Sequence, residues 1–196
     1  DLRTLIADSL ADDFIVTQVR DGKEAMDLIN GDTDFDLIIS DIMMPRKDGV
    51  SLCYDVKNNM NTSHIPFILL TAKTSLESKI EGVDSGADLY FEKPVDLTYL
   101  KLAIHNVFKN RQQLRDHYAR NFYADSSELS SNQQDAKFLK TFVDYINEHI
   151  SEQDMSVIGV AEELGMSKTK LYTKVKSLTG ESVVSFIANC RMRKAA

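Results

Sequence analysis

The sequence predicts an α/β domain with a doubly wound parallel sheet, followed by a smaller all-α domain. Three observations carry that reading. Over residues 1–110, short apolar runs alternate with apolar residues at helical spacing. Residues 123–137, "YADSSELSSNQQDAK", are polar and aperiodic. Beyond them, apolar residues recur at helical spacing only. The expected organisation is an α/β domain over 1–110, a helical extension and flexible linker over 111–137, and a helical domain over 138–196. With 196 residues and 43% hydrophobic content, the chain can fill two small cores.

Taken in order, "DLRTLIADSLADD" reads as a helix, and "FIVTQV" (14–19) as a strand followed by Ala25, Leu28 and Ile29 at helical spacing. "LIIS" (37–40) precedes Leu52, Val56 and Met60, and "PFILLT" (66–71) precedes Leu76, Ile80 and Val83. "LYF" (89–91) precedes Leu97, Leu100, Ile104, Val107 and Phe108, within one long helix that turns polar after Phe108. Strands that are continuously apolar and separated by helices imply a parallel sheet covered on both faces. In the second half, Phe138, Leu139, Phe142, Val143, Ile146 and Ile150 make one apolar helix face. Val157, Val160, Ala161 and Leu164 make another after Ser156, an expected N-cap. Gly165 breaks the chain, and Ser167 caps a third helix with Leu171, Val175 and Leu178 facing inward. Lys168, Thr169, Tyr172, Thr173 and Lys176 are then expected on the exposed side.

Composition narrows the function classes. No apolar run approaches the roughly 18 residues of a membrane span, and residues 1–20 lack the pattern of a signal peptide, so the segment reads as soluble and cytoplasmic. Cys53 and Cys190 lie far apart, without partners at metal-ligand spacing, and read as packing residues in a reducing compartment. The net charge of −7 is uneven: residues 1–110 carry 19 acids and 11 bases, residues 111–196 carry 11 acids and 12 bases. Residues 164–196 hold seven bases and one acid, an asymmetry that points to nucleic acid at the basic end.

Ligands of doubly wound sheets bind beyond the carboxyl ends of the strands. Asp41, Thr71 and Lys93 stand at those ends. An ionised carboxylate there can attack phosphorus or hold a cation, a threonine hydroxyl can donate to a phosphoryl oxygen, and an ammonium can neutralise it. A phosphatase that also uses a strand-end aspartate wants a second aspartate two residues later. That position is Met43, which sets the hydrolase reading aside. Pro94 restricts the backbone of Lys93, and Gly49 closes the loop after Pro45.

The segments "DLIISDIMMPRKDG", "IPFILLTAK" and "GADLYFEKP" resemble the signature segments of the receiver domain of bacterial response regulators, a flavodoxin-like fold. The resemblance implies Asp41 as phosphoacceptor, Thr71 and Tyr90 as switch residues, Lys93 as the phosphate-binding lysine, and a histidine kinase domain as donor. It further implies Mg2+, held by Asp41 and the backbone carbonyl of Met43. It also implies a first strand, preceding Asp1, that carries an acidic metal-binding pair. Asp12 and Asp13 are not that pair, because they fall at the helix C-terminus before "FIVTQV", the wrong end of the sheet.

"SVIGVAEELGMSKTKLYTKVKSLTGESVVSFIANCRMRKA" resembles the first helix-turn-helix of the AraC family of transcription regulators. By that resemblance Thr169, Tyr172 and Thr173 contact bases, Ser167, Lys170 and Lys176 contact phosphates, and Lys168 completes the DNA-contacting set. The family's second helix-turn-helix lies beyond the connecting helix in which the sequence stops. The implied function is a phosphorylation-switched, DNA-binding transcription regulator, expected as a homodimer. The stretch "NTSHIPFILLTAKTSLESKIEGVDSGAD" is similar to receivers of hybrid two-component sensors, which implies a tether to the inner membrane through a preceding sensor and kinase. A free-standing response regulator and a protein-interaction module without DNA binding are the alternatives.

Overall fold

The computed structural model describes residues 1–31, 33–72, 85–121, 132–151 and 155–195. The chain divides into two compact units: Asp1–Val56 with Ile65–Lys109, and Lys57–His64 with Asn110–Ala196.

Among the described residues, the first unit is built on a three-stranded parallel sheet in the order β1 (Ile38–Asp41), β2 (Phe67–Ala72), β3 (Leu89–Lys93). Along β2, alternate residues point to opposite faces, and both faces are covered. Phe67 and Leu69 pack with Ala25, Ile29, Leu52, Cys53 and Val56 from α2 (Gly22–Ile29) and α3 (Gly49–Asn58). Ile68 and Leu70 pack with Ile6, Leu10, Leu100 and Ile104 from α1 (Leu2–Leu10) and α4 (Leu97–Asn121). This is the doubly wound arrangement, and it explains why β2 carries no polar residue before Thr71. The predicted long helix is α4, 25 residues in length.

The expected strand over residues 14–19 is not realised. Those residues are outside regular structure, and Ile15 is fully exposed. An apolar, β-branched run becomes a strand only beside a ladder partner, and among the described residues the sheet offers it none. The helix expected around Leu76, Ile80 and Val83 lies outside the described residues.

In the second unit, α5 (Gln133–His149), α6 (Val157–Glu163), α7 (Lys168–Thr179) and α8 (Val183–Ala195) enclose one core. Phe138, Leu139, Phe142 and Ile146 of α5 are completely buried, with Phe138 and Phe142 stacked at 5.8 Å and Phe142 tilted against Phe186 at 5.1 Å. Ser156 and Ser167 cap α6 and α7 by accepting from the amides of Gly159 (3.1 Å) and Lys170 (3.2 Å). Gly165 and Gly180 take φ of +61° and +76°, the left-handed geometry that ends α6 and α7. The expected linker is corrected at its C-terminal end. Asn132 caps α5 through its side chain, so residues 133–137 are helical, and Asp135 among them is buried. Cys53 and Cys190 are buried thiols, not disulfide-bonded to one another. Among the described residues no helix is long and apolar enough to cross a membrane.

Candidate functional site

Asp41 is the last residue of β1, opposite Leu70, and Lys93 is the last residue of β3, opposite Ala72. Both flank the end of β2, where Thr71 is buried. Parallel register thus brings together three residues far apart in sequence. Lys93 Nζ forms an ion pair with Asp41 Oδ2, and both side chains remain about one-third exposed. The other carboxylate oxygen, Oδ1, accepts from the Met43 amide at 3.2 Å. The Asp41 carboxylate is thereby oriented from two sides while staying accessible. Thr71 Oγ1 donates to the Ala72 carbonyl at 3.2 Å, so its hydroxyl is committed to backbone in this state. Lys93 and Pro94 are joined by a cis peptide.

Tyr90 is half-buried against the cluster formed by α2, α3 and β2. Burial pushes its phenol above the ordinary value, against an opposing hydrogen bond with Ser85. Asp12 and Asp13 stay out of this arrangement: Asp13 faces Lys101 at 3.3 Å.

The loop after Asp41, residues 42–48, turns back on the strand. The Gly49 amide donates to the Ile42 carbonyl at 3.0 Å, and a Cβ at Gly49 would lie 2.1 Å from the Asp41 carbonyl oxygen. No side chain fits there without moving the backbone of the acid itself. Gly49→Ala is expected to destabilise the first unit by about 1–3 kcal/mol, the usual cost of overpacking, measurable by urea denaturation. An unchanged midpoint would contradict this geometry.

The C-terminal set is less uniform than its sequence pattern. Ser167, Lys168, Thr169 and Lys176 are exposed, whereas Lys170, Tyr172 and Thr173 are half-buried. The Tyr172 ring packs on the core of the unit, with the Lys168 ammonium 5.9 Å from its centroid. An exposed position was expected for Tyr172, but its apolar ring covers the core edge and leaves little of itself outside.

Two clusters escape sequence reasoning. Lys174, counted among the basic residues, is completely buried and donates to Asp135 Oδ1 (2.7 Å), Ser63 Oγ (2.7 Å) and the Met60 carbonyl (2.6 Å). Burial lowers its pKa, with Asp135 opposing. Its signal was its spacing: 171, 174, 175 and 178 form one helix face. In the first unit, Asp21 is buried and binds Arg46, which also reaches Glu24 at 3.0 Å. Burial raises the Asp21 pKa, but the amides of Glu24 and Lys23 and the Arg46 guanidinium outweigh it and hold the carboxyl below its ordinary value.

The chain is 34% identical to histidine kinase P4 of Formosa agariphila over all of its own length and 14% of that protein. It is 38% identical to response regulator MprA of Mycolicibacterium vanbaalenii over 44% of the chain and 36% of that protein. The chain therefore spans well under two thirds of these relatives. Among solved structures, the receiver domain of a signal transduction histidine kinase from Syntrophus aciditrophicus matches with TM-score 0.52 and 30% identity, covering 55% of this chain and 81% of that one. Chemotaxis protein CheY4 of Vibrio cholerae matches with TM-score 0.50 and 31% identity, covering 54% and 88%. The family model of the response regulator receiver domain matches residues 1–105, which include Asp41, Thr71 and Lys93, and this chain belongs to that family.

Proposed function

We propose that this chain is the receiver and DNA-binding portion of a transcription regulator switched by phosphoryl transfer from a histidine kinase domain to Asp41. The observation that carries the reading is the Lys93–Asp41 ion pair at the carboxyl end of the sheet, with Thr71 on the strand between. In the transfer, an Asp41 carboxylate oxygen forms a bond to phosphorus. The phosphorus–nitrogen bond to the kinase histidine breaks, and its electron pair returns to the imidazole, which takes a proton. The acyl phosphate brings about −1.5 to −2 charge, by analogy with other phosphorylated residues. Lys93 neutralises part of it. The Thr71 hydroxyl then exchanges the Ala72 carbonyl for a phosphoryl oxygen, and Tyr90 follows.

Receiver domains bind Mg2+ in the active site. Here Asp41 and the Met43 carbonyl would contribute to holding it, where its charge would offset that of the phosphoryl oxygens. Among the described residues no group of three or more His, Cys, Asp or Glu could hold a metal, so these donors form only part of such a site.

On the output side, α6, the turn at Gly165 and α7 support a helix-turn-helix of AraC type, with α7 as the recognition helix. Thr169 is its most accessible base reader, with Tyr172 and Thr173 beside it, and Ser167, Lys168, Lys170 and Lys176 meet phosphates. The domains proposed are a receiver over 1–110 and a DNA-binding domain over 138–196, acting as a homodimer. Similarity to a histidine kinase along the whole chain supports a hybrid sensor, tethered to the membrane through other parts, over a free-standing regulator.

The test is the full chain treated with acetyl phosphate and Mg2+, followed by intact mass and DNA affinity. A phosphoryl increment and a donor-dependent affinity change, both lost in Asp41→Asn, are expected. A donor response retained in that variant overturns the assignment of Asp41. Lys170→Ala or Lys176→Ala should weaken all DNA sites alike and reduce the salt slope by about 1. A shift in sequence preference instead would overturn the docking orientation.

A further inference from the structure

The loop that carries Met43 is fastened at its far end by a cluster with no place in the phosphoryl chemistry described above. Arg46 sits five residues after Asp41 with φ +62°, a left-handed geometry rare for a side-chain-bearing residue. Its Nε donates to Asp21 Oδ2 at 2.5 Å, and its terminal nitrogen reaches Glu24 Oε1 at 3.0 Å. The partners are themselves fixed. Asp21 Oδ1 accepts from the amides of Lys23 (2.9 Å) and Glu24 (3.2 Å), capping α2, and Glu24 Oε2 accepts from the Arg20 amide at 3.0 Å. Next to Arg46, the Lys47 carbonyl accepts from the Gly22 amide at 3.2 Å, and a Cβ at Gly22 would stand 2.6 Å from that oxygen. Lys47 is in turn paired with Asp55 of α3. The loop is thus pinned between the N-terminus of α2 and the body of α3, and its other end delivers the Met43 amide to Asp41 Oδ1 at 3.2 Å.

We infer that Arg46 is a positioning residue for the phosphoacceptor: clamped by Asp21 and Glu24, it holds the 42–48 loop so that the Met43 amide orients the Asp41 carboxylate. The inference rests on the reading of Asp41 as phosphoacceptor. Arg46 does not reach the reacting atoms; it acts through the loop. The loop at the left-handed Arg46 is tied to two carboxylates at once, which the guanidinium engages through two separate nitrogens of its planar fork. A lysine keeps the charge but presents a single nitrogen, so it holds the same pair with a looser geometry.

The experiment compares the full chain with Arg46→Ala and Arg46→Lys, measuring phosphorylation rate against acetyl phosphate concentration and the Met43 amide resonance by NMR. Arg46→Ala should lower the maximal rate by at least about tenfold, toward the ~10²-fold cost of a 1 Å misplacement, with little change in half-saturating donor. Its Met43 amide resonance should move, and Arg46→Lys should fall between Ala and wild type in both readouts. A clamp that only stabilises the fold would lower the unfolding midpoint yet leave the rate and the Met43 resonance of the folded protein unchanged, overturning the inference. Failure of the wild-type chain to take up phosphoryl at Asp41 overturns the underlying reading instead. In that case an unmoved Met43 resonance would overturn the clamp as well, and a moved one would retain it as a device that orients the Asp41 carboxylate.

Discussion

Lys174→Ala is expected to destabilise the second unit by about 3–5 kcal/mol, enough to unfold it in much of the population. The ammonium is completely buried, and three oxygens depend on it: Asp135 Oδ1, Ser63 Oγ and the Met60 carbonyl. Truncation leaves a buried carboxylate with one remaining hydrogen bond, from Ser63 at 2.7 Å, and removes the cation 5.0 Å from the Phe138 ring centroid. An uncompensated charge in a core costs far more than the pair contributes, because desolvation has already consumed most of its Coulomb energy. The double variant Lys174→Met with Asp135→Leu should therefore recover most of the loss, since both charges leave together. Denaturant-dependent hydrogen exchange at the Phe142 and Leu171 amides reads the second unit separately from the first. Equal destabilisation in the single and double variants would show that the lost hydrogen bonds to Ser63 and the Met60 carbonyl, not the orphaned charge, set the cost.

Lys174 also shows where the sequence stopped being legible. A lysine in a basic, polar-looking helix reads as surface, yet it shares an inward face with Leu171, Val175 and Leu178. Asp135 shares one with Phe138, Leu139 and Phe142. Each looks anomalous alone, and only the fold makes them complementary. The strand-end acid and lysine were legible for the opposite reason. Asp41 and Lys93 stand just past apolar runs, and a parallel sheet covered on both faces must place such ends side by side. The run 14–19 has the same apolar, β-branched character, but strand propensity is realised only through a neighbour, so Ile15 is left in solvent. Residues 133–137 read as linker because Gln, Asp and Lys carry no apolar period, whereas Asn132 capping and burial of Asp135 make them helix. Arg46 left no signal at all: its partner Asp21 lies 25 residues upstream and is fixed as the cap of α2 only by the fold.

With Asp41 as the proposed phosphoacceptor, Lys93→Ala is expected to slow phosphoryl transfer on the order of 10²–10³-fold, the range for removing one donor aimed at developing transition-state charge. Two effects of the ammonium compete. In the resting protein its ion pair with Asp41 Oδ2 draws electron density from the attacking carboxylate and makes it the poorer nucleophile. In the transition state the same ammonium faces phosphoryl oxygens bearing more charge than the carboxylate alone. The second effect should dominate, because the resting pair is about one-third exposed and partly screened by water, whereas an arriving phosphoryl group displaces that water. Lys93→Arg should retain part of the rate, since the charge remains but the compact ammonium is replaced by a planar fork. Initial rates of label incorporation from acetyl phosphate, at donor concentrations spanning saturation, decide between the two effects. A faster Lys93→Ala variant would make Lys93 a resting counter-ion of Asp41, and the charge that stabilises phosphoryl transfer would then have to come from elsewhere.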